Sequence, residues 1–468
     1  MISVQNHHLL SNGNKFLILF LSVILFTSCF ATKKNTTVER HPKTYYPEKK
    51  DTVVVKSNDT KVDSLEWEDN EVIETVHKKD DNNENKNSID PMKKDQYKID
   101  VLIPMDSYGV FSELSDLEQS TNTYNMVEYY AGMILALVDL KTKGADFVVN
   151  VHDIPVDADI NNSYIKEASK DKPDVIIGPN DKNQLLKVLD FAESNKILVV
   201  PPWKSFSNIT TEDQFYIQIK PTLETYYVKM IEDIESFASK EDVYVISRDE
   251  DRDKARVDKF LELREKVTGD TGKYNTIFIN EMEMLTDTSI YQEKLKDQLS
   301  DKYIIFPNYS YADDDFLFNS LRSLNIEKGN TNVFVYGMPV MMESDKINYD
   351  LFKRLNIRII DDNYIDDSNR EVKQFKYDFY KQFNSFPTEF AFEGYDMMSF
   401  IGTGLIDYGV MFAPFIEDKV FDYTSTGYKI EPNISYPDEK SELPHFNYYE
   451  NKNLYIIGFI NNKFVKLR

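Results

Sequence analysis

From residue 99 onward, short apolar runs alternate with stretches in which apolar residues recur every three or four positions. The clearest unit is Pro173–Pro202. Val175–Ile177 are uninterrupted and β-branched, as in a strand buried on both faces. Gly178-Pro179 then breaks the chain, and Asn180 and Asp181 are helix-capping residues. Leu185, Leu186, Leu189 and Ala192 follow at helical spacing, and a second strand, Ile197–Val200, stops at Pro201-Pro202. A strand–helix–strand unit of this length predicts two parallel strands joined by a right-handed crossover. Ligands of open parallel sheets sit beyond the carboxyl ends of the strands. The turns Gly178–Asn183 and Pro201–Ser207 are therefore the first candidate site.

The alternation extends to both sides of this unit. Upstream it predicts a strand at Ile99–Pro104, an apolar helix at Tyr129–Leu140 with Gly132 set for close packing, and a strand at Phe147–Val151. Downstream it predicts strands at Phe215–Ile219, Asp242–Ser247, Asn275–Ile279, Tyr303–Phe306, Asn332–Tyr336 and Ile357–Ile360. Helices are expected between them at Thr222–Ala238, Asp253–Glu265, Tyr291–Leu299 and Asp313–Leu324, then at Arg370–Phe383 and Phe390–Tyr408. A terminal hairpin, Tyr455–Phe459 and Phe464–Leu467, would turn at Asn461-Asn462, because Asn tolerates positive φ. This order predicts an α/β protein with doubly wound, mostly parallel sheets. At 468 residues the chain exceeds what one hydrophobic core of about 250–300 residues holds, so more than one core is expected.

Residues 1–98 follow another pattern. Phe16–Phe26 is apolar except for Ser22, is preceded by Lys15, and runs into Thr27-Ser28-Cys29. The run is shorter than the ~20 residues of a membrane span and fits a secretory signal. Beyond Cys29, the sole cysteine, lies a tract rich in Lys, Asp, Glu, Asn and Thr without sustained periodicity. Such a composition buries too little apolar surface to offset ordering entropy, so 29–97 reads as a polar tether.

Composition and motifs remove several function classes. A net charge of −24 leaves no basic stripe for phosphates, so no nucleic-acid partner is expected. Only His152 and His445 fall in the folded part, too few for a histidine metal site, and no metal or cofactor is expected. No Gly-x-Ser-x-Gly elbow or phosphate-binding loop occurs, and no enzyme activity is expected. The acidic runs Asp249–Asp251, Asp313–Asp315 and Asp361–Asp362 lack the spacing of a calcium loop and read as solvated loops or helix N-termini.

Several ordered stretches carry a resemblance. Ile99–Pro104, Tyr130-Ala131-Gly132 through Leu140, Asp174–Pro179 (DVIIGP), Ile197–Pro201 (ILVVP) and Phe390–Asp396 (FAFEGYD) resemble the type I periplasmic binding proteins of the leucine/isoleucine/valine-binding kind. Phe26-Thr27-Ser28-Cys29 resembles a lipoprotein lipobox. The resemblance implies a signal peptide at 1–28, lipidation at Cys29 and a binding domain at 98–468. Its lobes would be 98–213 with 362–412, and 214–361 with 413–468, closing on a ligand by hinge motion. It implies ligand groups at Ser107 and Tyr108, at Asn180, Asp181 and Asn183, and at Trp203, Lys204 and Ser205. From the second lobe it implies Arg248, Asp249, Tyr309 and Met338. Asp181 stands where amino-acid binders place a hydroxyl, and would repel a carboxylate. Two functions remain open. One is an envelope-anchored, periplasm-facing lipoprotein binding a small molecule for ABC-type uptake of amino acids or related compounds. The other is a non-transport scaffold or regulator of the peptidoglycan-synthesis machinery, with an envelope protein as partner.

Overall fold

The computed structural model describes residues 92–105, 117–207, 209–284, 289–293, 295, 300–417, 419–435 and 444–467. Cys29 and the 29–97 tract, up to residue 91, lie outside them. The first sheet has four parallel strands, β1 (Tyr97–Ile103), β2 (Phe147–Asp153), β3 (Val175–Ile177) and β4 (Leu198–Val200), in the order β2-β1-β3-β4. Its pleat divides the apolar side chains between two layers. Ile99, Val101, Ile103, Val175, Ile177, Leu198 and Val200 share one core, and Leu102, Ile176 and Val199 another. Burial on both faces is why these strands read as unbroken apolar runs.

Two helices cover the first face, α1 (Leu117–Thr142) and α7 (Glu389–Tyr408), reached from opposite ends of the domain. The other face is covered by α2 (Lys182–Asn195), through Leu185, Val188, Leu189 and Ala192. α1 and α7 touch backbone to backbone. A Cβ on Gly132 would lie 1.9 Å from the Ala391 carbonyl oxygen, and one on Gly394 would lie 2.0 Å from that of Tyr129. The close packing expected at Gly132 is thus present, and Gly394 supplies its counterpart. α1 starts well before the expected Tyr129, because its first turns are polar and carry no apolar period.

The second sheet has seven strands in the order β16-β15-β10-β9-β8-β6-β7. β6 (Val243–Arg248), β7 (Asn275–Ile279), β8 (Lys302–Ile305), β9 (Val333–Gly337) and β10 (Arg358–Asp361) are mutually parallel. β15 (Tyr455–Ile460) and β16 (Lys463–Lys466) add an antiparallel edge, turning at Asn461 and Asn462 with φ of 53° and 62°. Helices α3 (Leu223–Glu235), α4 (Asp251–Thr268) and α5 (Asp314–Glu327) pack on this sheet around Tyr227, Phe260 and Leu321. The expected helix Tyr291–Leu299 falls largely outside the described residues. Helix α6 (Arg370–Phe383) packs Phe375 and Phe379 against Phe392 of α7.

The chain therefore forms two α/β lobes joined by three crossovers near residues 219–222, 361–364 and 451–455. One assignment differs from the sequence reading, which placed 413–468 with the second lobe. β13 (Ile430–Ser435) and β14 (His445–Asn451) form a hairpin on β5 (Ile217–Gln218), which is bridged to β4 through Tyr216 and Val199. Ile430 and Tyr449 enter the first lobe's core. The pairing links residues over 200 positions apart, so no local pattern announces it. The short pair β11 (Phe421–Asp422) and β12 (Gly427–Tyr428) precedes this hairpin, and its loop meets the second crossover through Thr426 and Asn363. Among the described residues, no helix is long and apolar enough to cross a membrane.

Candidate functional site

The carboxyl ends of β4, β8, β9 and β10 face a cleft of about 590 Å³ between the lobes. This is the size range of small-molecule sites. Trp203 and Ser205 line it from the first lobe, and Leu223, Tyr226, Tyr309 and Met338 from the second. Lys220 and Asp361–Asn363 come from two of the crossovers, and Glu389 and Glu393 from α7.

Lys220 sits at the centre of the hinge chemistry. Its ammonium lies 2.9 Å from Asp362 and 3.0 Å from Glu393, joining both crossovers to α7. Tyr226 donates its hydroxyl to Asp362 at 3.1 Å, and Asn363 donates its amide to Glu393 at 3.2 Å. Burial disfavours the charge on Lys220, but the two carboxylates outweigh it and hold the ammonium above the usual lysine range. Burial first, and repulsion from Asp362 second, push the Asp361 carboxyl well above the carboxylate range. Removing one member of a buried ion network leaves its partners uncompensated. Lys220→Met is thus expected to cost about 2–3 kcal/mol, allowing for partial solvent access. A guanidinium unfolding titration checks it, and a loss under about 0.5 kcal/mol would show that the network carries little stability.

The loop between β11 and β12 is tied down beside the second crossover by Asp396 of α7, which is fully buried. Its carboxylate accepts five hydrogen bonds from three consecutive residues. Thr424 donates its amide at 3.0 Å and its hydroxyl at 2.7 Å, Ser425 both groups at 2.7 Å, and Thr426 its amide at 2.9 Å. Thr426 in turn bridges to Asn363 of the second crossover. Glu450 of β14 plays the matching part at the first crossover, accepting the Thr222 amide and the Thr222 and Thr225 hydroxyls, each at 2.8 Å. It is also paired with Lys452 at 2.7 Å.

Of the residues singled out in the sequence, the fold brings Trp203, Ser205, Tyr309 and Met338 to the cleft. Ser107 and Tyr108 lie outside the described residues. Asn180, Asp181, Asn183 and Lys204 do not line the cleft. Asp181 instead caps α2, accepting the Asn183 amide at 2.9 Å and the Gln184 amide at 3.0 Å. Asp249 is paired with Lys254 on the surface. Arg248 is buried between Asp253, at 3.0 Å, and Asp313.

The acidic runs divide. Asp249–Asp251 and Asp313–Asp315 stand at helix N-termini, as expected, but Asp313, Asp361 and Asp362 are buried, not solvated. Asp313 closes a capping box and neutralises Arg248 and Arg256, while the other two occupy a crossover. Lys220, Tyr226, Glu389 and Glu393 were not anticipated. Glu393 and Asp396 stand inside the FAFEGYD stretch, which was the available signal.

No family model matches the chain, and no curated protein matches it by sequence. Solved structures do. A protein from Rhodospirillum rubrum described as a branched-chain amino acid ABC transporter aligns over 80% of this chain and 100% of its own, at 12% identity and TM-score 0.55. LpoA of Haemophilus influenzae aligns over 81% of this chain and 59% of its own, at 11% identity and TM-score 0.51. The fold is that of the type I periplasmic binding proteins. In this periplasmic-binding-protein fold the lobes flank one cleft, and the three crossovers form its floor and hinge. Asp361 and Asp362 lie at the second crossover, and Glu450 braces the first. At such identities the likeness extends to the fold alone.

Proposed function

We propose that this chain is a solute-binding protein that closes its two lobes on a small molecule in the cleft lined by Trp203, Tyr226 and Tyr309. The observation that carries the proposal is the cleft itself, placed where strand ends from both lobes converge on a three-strand hinge. Lipidation at Cys29, with 29–97 as a tether facing the periplasm, belongs to the same proposal and would hold the binding domain at the cell envelope. The chain's role would be capture rather than catalysis, with delivery to an ABC-type importer as its use.

Trp203 supplies the test. The chain has two tryptophans, and the other, Trp67, precedes the binding domain. A ligand entering the cleft is expected to change Trp203 fluorescence saturably and to raise the melting temperature, by mass action on the folded state. Trp203→Phe should abolish the optical change while keeping the thermal shift. If amino acids, peptides, amines and sugars produce neither signal, the proposal fails.

One feature favours the second reading, a non-transport scaffold for an envelope protein. Asp181 occupies the α2 amide donors that could otherwise receive a ligand carboxylate. Recovery of a specific envelope partner with an empty cleft would favour it.

A further inference from the structure

The charge balance of the cleft narrows what could fill it. Five described carboxylates line it, Glu343, Asp361, Asp362, Glu389 and Glu393, against one ammonium, Lys220. That ammonium is already shared by Asp362 and Glu393. Glu343, Asp361 and Glu389 make no ion pair among the described residues. Glu343 accepts the Tyr311 hydroxyl, and Glu389 makes no hydrogen bond. Their sources are separate: the segment after β9, the end of β10 and the first turn of α7.

Asp361 provides a second observation of a different kind. It is 8% exposed, lines the cleft, and accepts the Asn363 amide at 3.2 Å, while the nearby Lys220 ammonium is paired with Asp362 and Glu393 instead. A carboxylate so buried is costly unless a counter-charge arrives. Two stronger sites for an anion are already engaged, since Asp181 fills the α2 N-terminus and Arg248 is locked between Asp253 and Asp313, which leaves the neutral Trp203 indole N–H as an unpartnered donor in the cleft wall. The walls add three aromatic rings, Trp203, Tyr226 and Tyr309, whose faces attract cations, and Tyr309 already carries the Arg256 guanidinium over one face at 4.6 Å. No group of three or more acidic, His or Cys side chains among the described residues is placed to hold a metal ion. Spread carboxylates between aromatic walls suit an elongated cation.

We propose that the cleft binds an organic amine with one or more ammonium groups and no carboxylate, its nitrogens meeting Asp361 and Glu389 and its methylenes lying against Trp203, Tyr226 and Tyr309. This inference rests on the solute-binding reading above and adds the ligand's class.

The test uses the full chain at about 0.15 M salt, where exposed charges are largely screened. Spermidine and cadaverine are the probes, L-leucine and L-glutamate the comparators, with calorimetry and Trp203 fluorescence as readouts. Saturable amine binding is expected, weakened about tenfold or more in Asp361→Asn and in Glu389→Gln, and unaltered in Asp249→Asn. Glu389 is exposed and makes no contact that folding needs, so Glu389→Gln remains informative if Asp361→Asn misfolds. Amine binding equal in wild type and Glu389→Gln would reflect attraction to a chain of net charge −24 and would overturn the inference. Leucine or glutamate binding without amine binding would overturn it while leaving the solute-binding reading intact. Silence from every probe would remove both.

Discussion

Asp396→Ala is expected to destabilise the protein by about 4–5 kcal/mol, near the upper end for a single substitution. The carboxylate has no solvent access and accepts three backbone amides and two hydroxyls. Removing it strands those donors in the interior, where each unsatisfied group costs roughly 1–3 kcal/mol. The loss falls on the β11–β12 loop, which pairs with the second crossover through Thr426 and Asn363, so that crossover should suffer with stability. A urea unfolding curve at pH 7.5 decides the matter. A change below about 1 kcal/mol would mean that the crossover is held by other contacts.

Asp396→Asn separates charge from shape. Burial raises the Asp396 carboxyl to about 6, against the downward pull of the Thr424 and Ser425 donors. In the unfolded chain an aspartate titrates near roughly 4. Between these values the native state holds a proton that the unfolded state has released. This contribution to stability is complete below about pH 4 and is lost as pH rises through about 6, on the order of 2–3 kcal/mol in all. The asparagine variant lacks it. The wild type's advantage over Asp396→Asn should therefore shrink between pH 4.5 and 6.5, and an advantage that grew across that window would reverse the sign of the argument.

Gly394→Val is the other substitution with a large expected effect. A Cβ there would lie 2.0 Å from the Tyr129 carbonyl oxygen, well inside contact distance, and the obstacle is backbone in a neighbouring helix. Relief requires α1 and α7 to move apart, opening the core that contains Met133, Met397 and Ile401. The cost is expected at about 3 kcal/mol or more, with loss of soluble protein a natural outcome. Gly132→Ala should act in the same direction, since its Cβ would meet the Ala391 carbonyl oxygen at 1.9 Å. Gly144→Ala is the control. That glycine has φ of 87° but open space around it, so its cost should be limited to backbone strain of about 1 kcal/mol. Equal losses at Gly144 and Gly394 would argue against helix contact as the cause.

The parts legible in the sequence share a physical origin. Val175–Ile177, Ile197–Val200, Val243–Ser247 and Val333–Tyr336 are buried because parallel strands are covered on both faces, and that leaves continuous apolar runs. The Asn461-Asn462 turn was readable because two positive φ values demand residues that tolerate them. Asp181 as a helix cap was readable for a similar local reason. The β13–β14 hairpin was not, since its partner β5 is two residues long and lies more than 200 positions away.

The candidate site divides along the same line. Trp203, Ser205, Tyr309 and Met338 reach the cleft because they follow strand ends, a position that strand prediction already marks. Lys220, Asp361, Asp362, Glu389 and Glu393 gain their roles only from one another. In sequence, Asp361-Asp362 is indistinguishable from the exposed run Asp249–Asp251, and a lone Lys220 before Pro221 looks like any loop lysine. The sequence by itself determined the alternation of buried strands and amphipathic helices, because hydrophobic periodicity is a local property of the chain. Only the tertiary structure decided the cleft's acidity and the stitching of the hinge. Lys220, Asp362, Glu393 and Asp396 acquire their partners when the first two crossovers, α7 and the β11–β12 loop are brought within hydrogen-bonding distance.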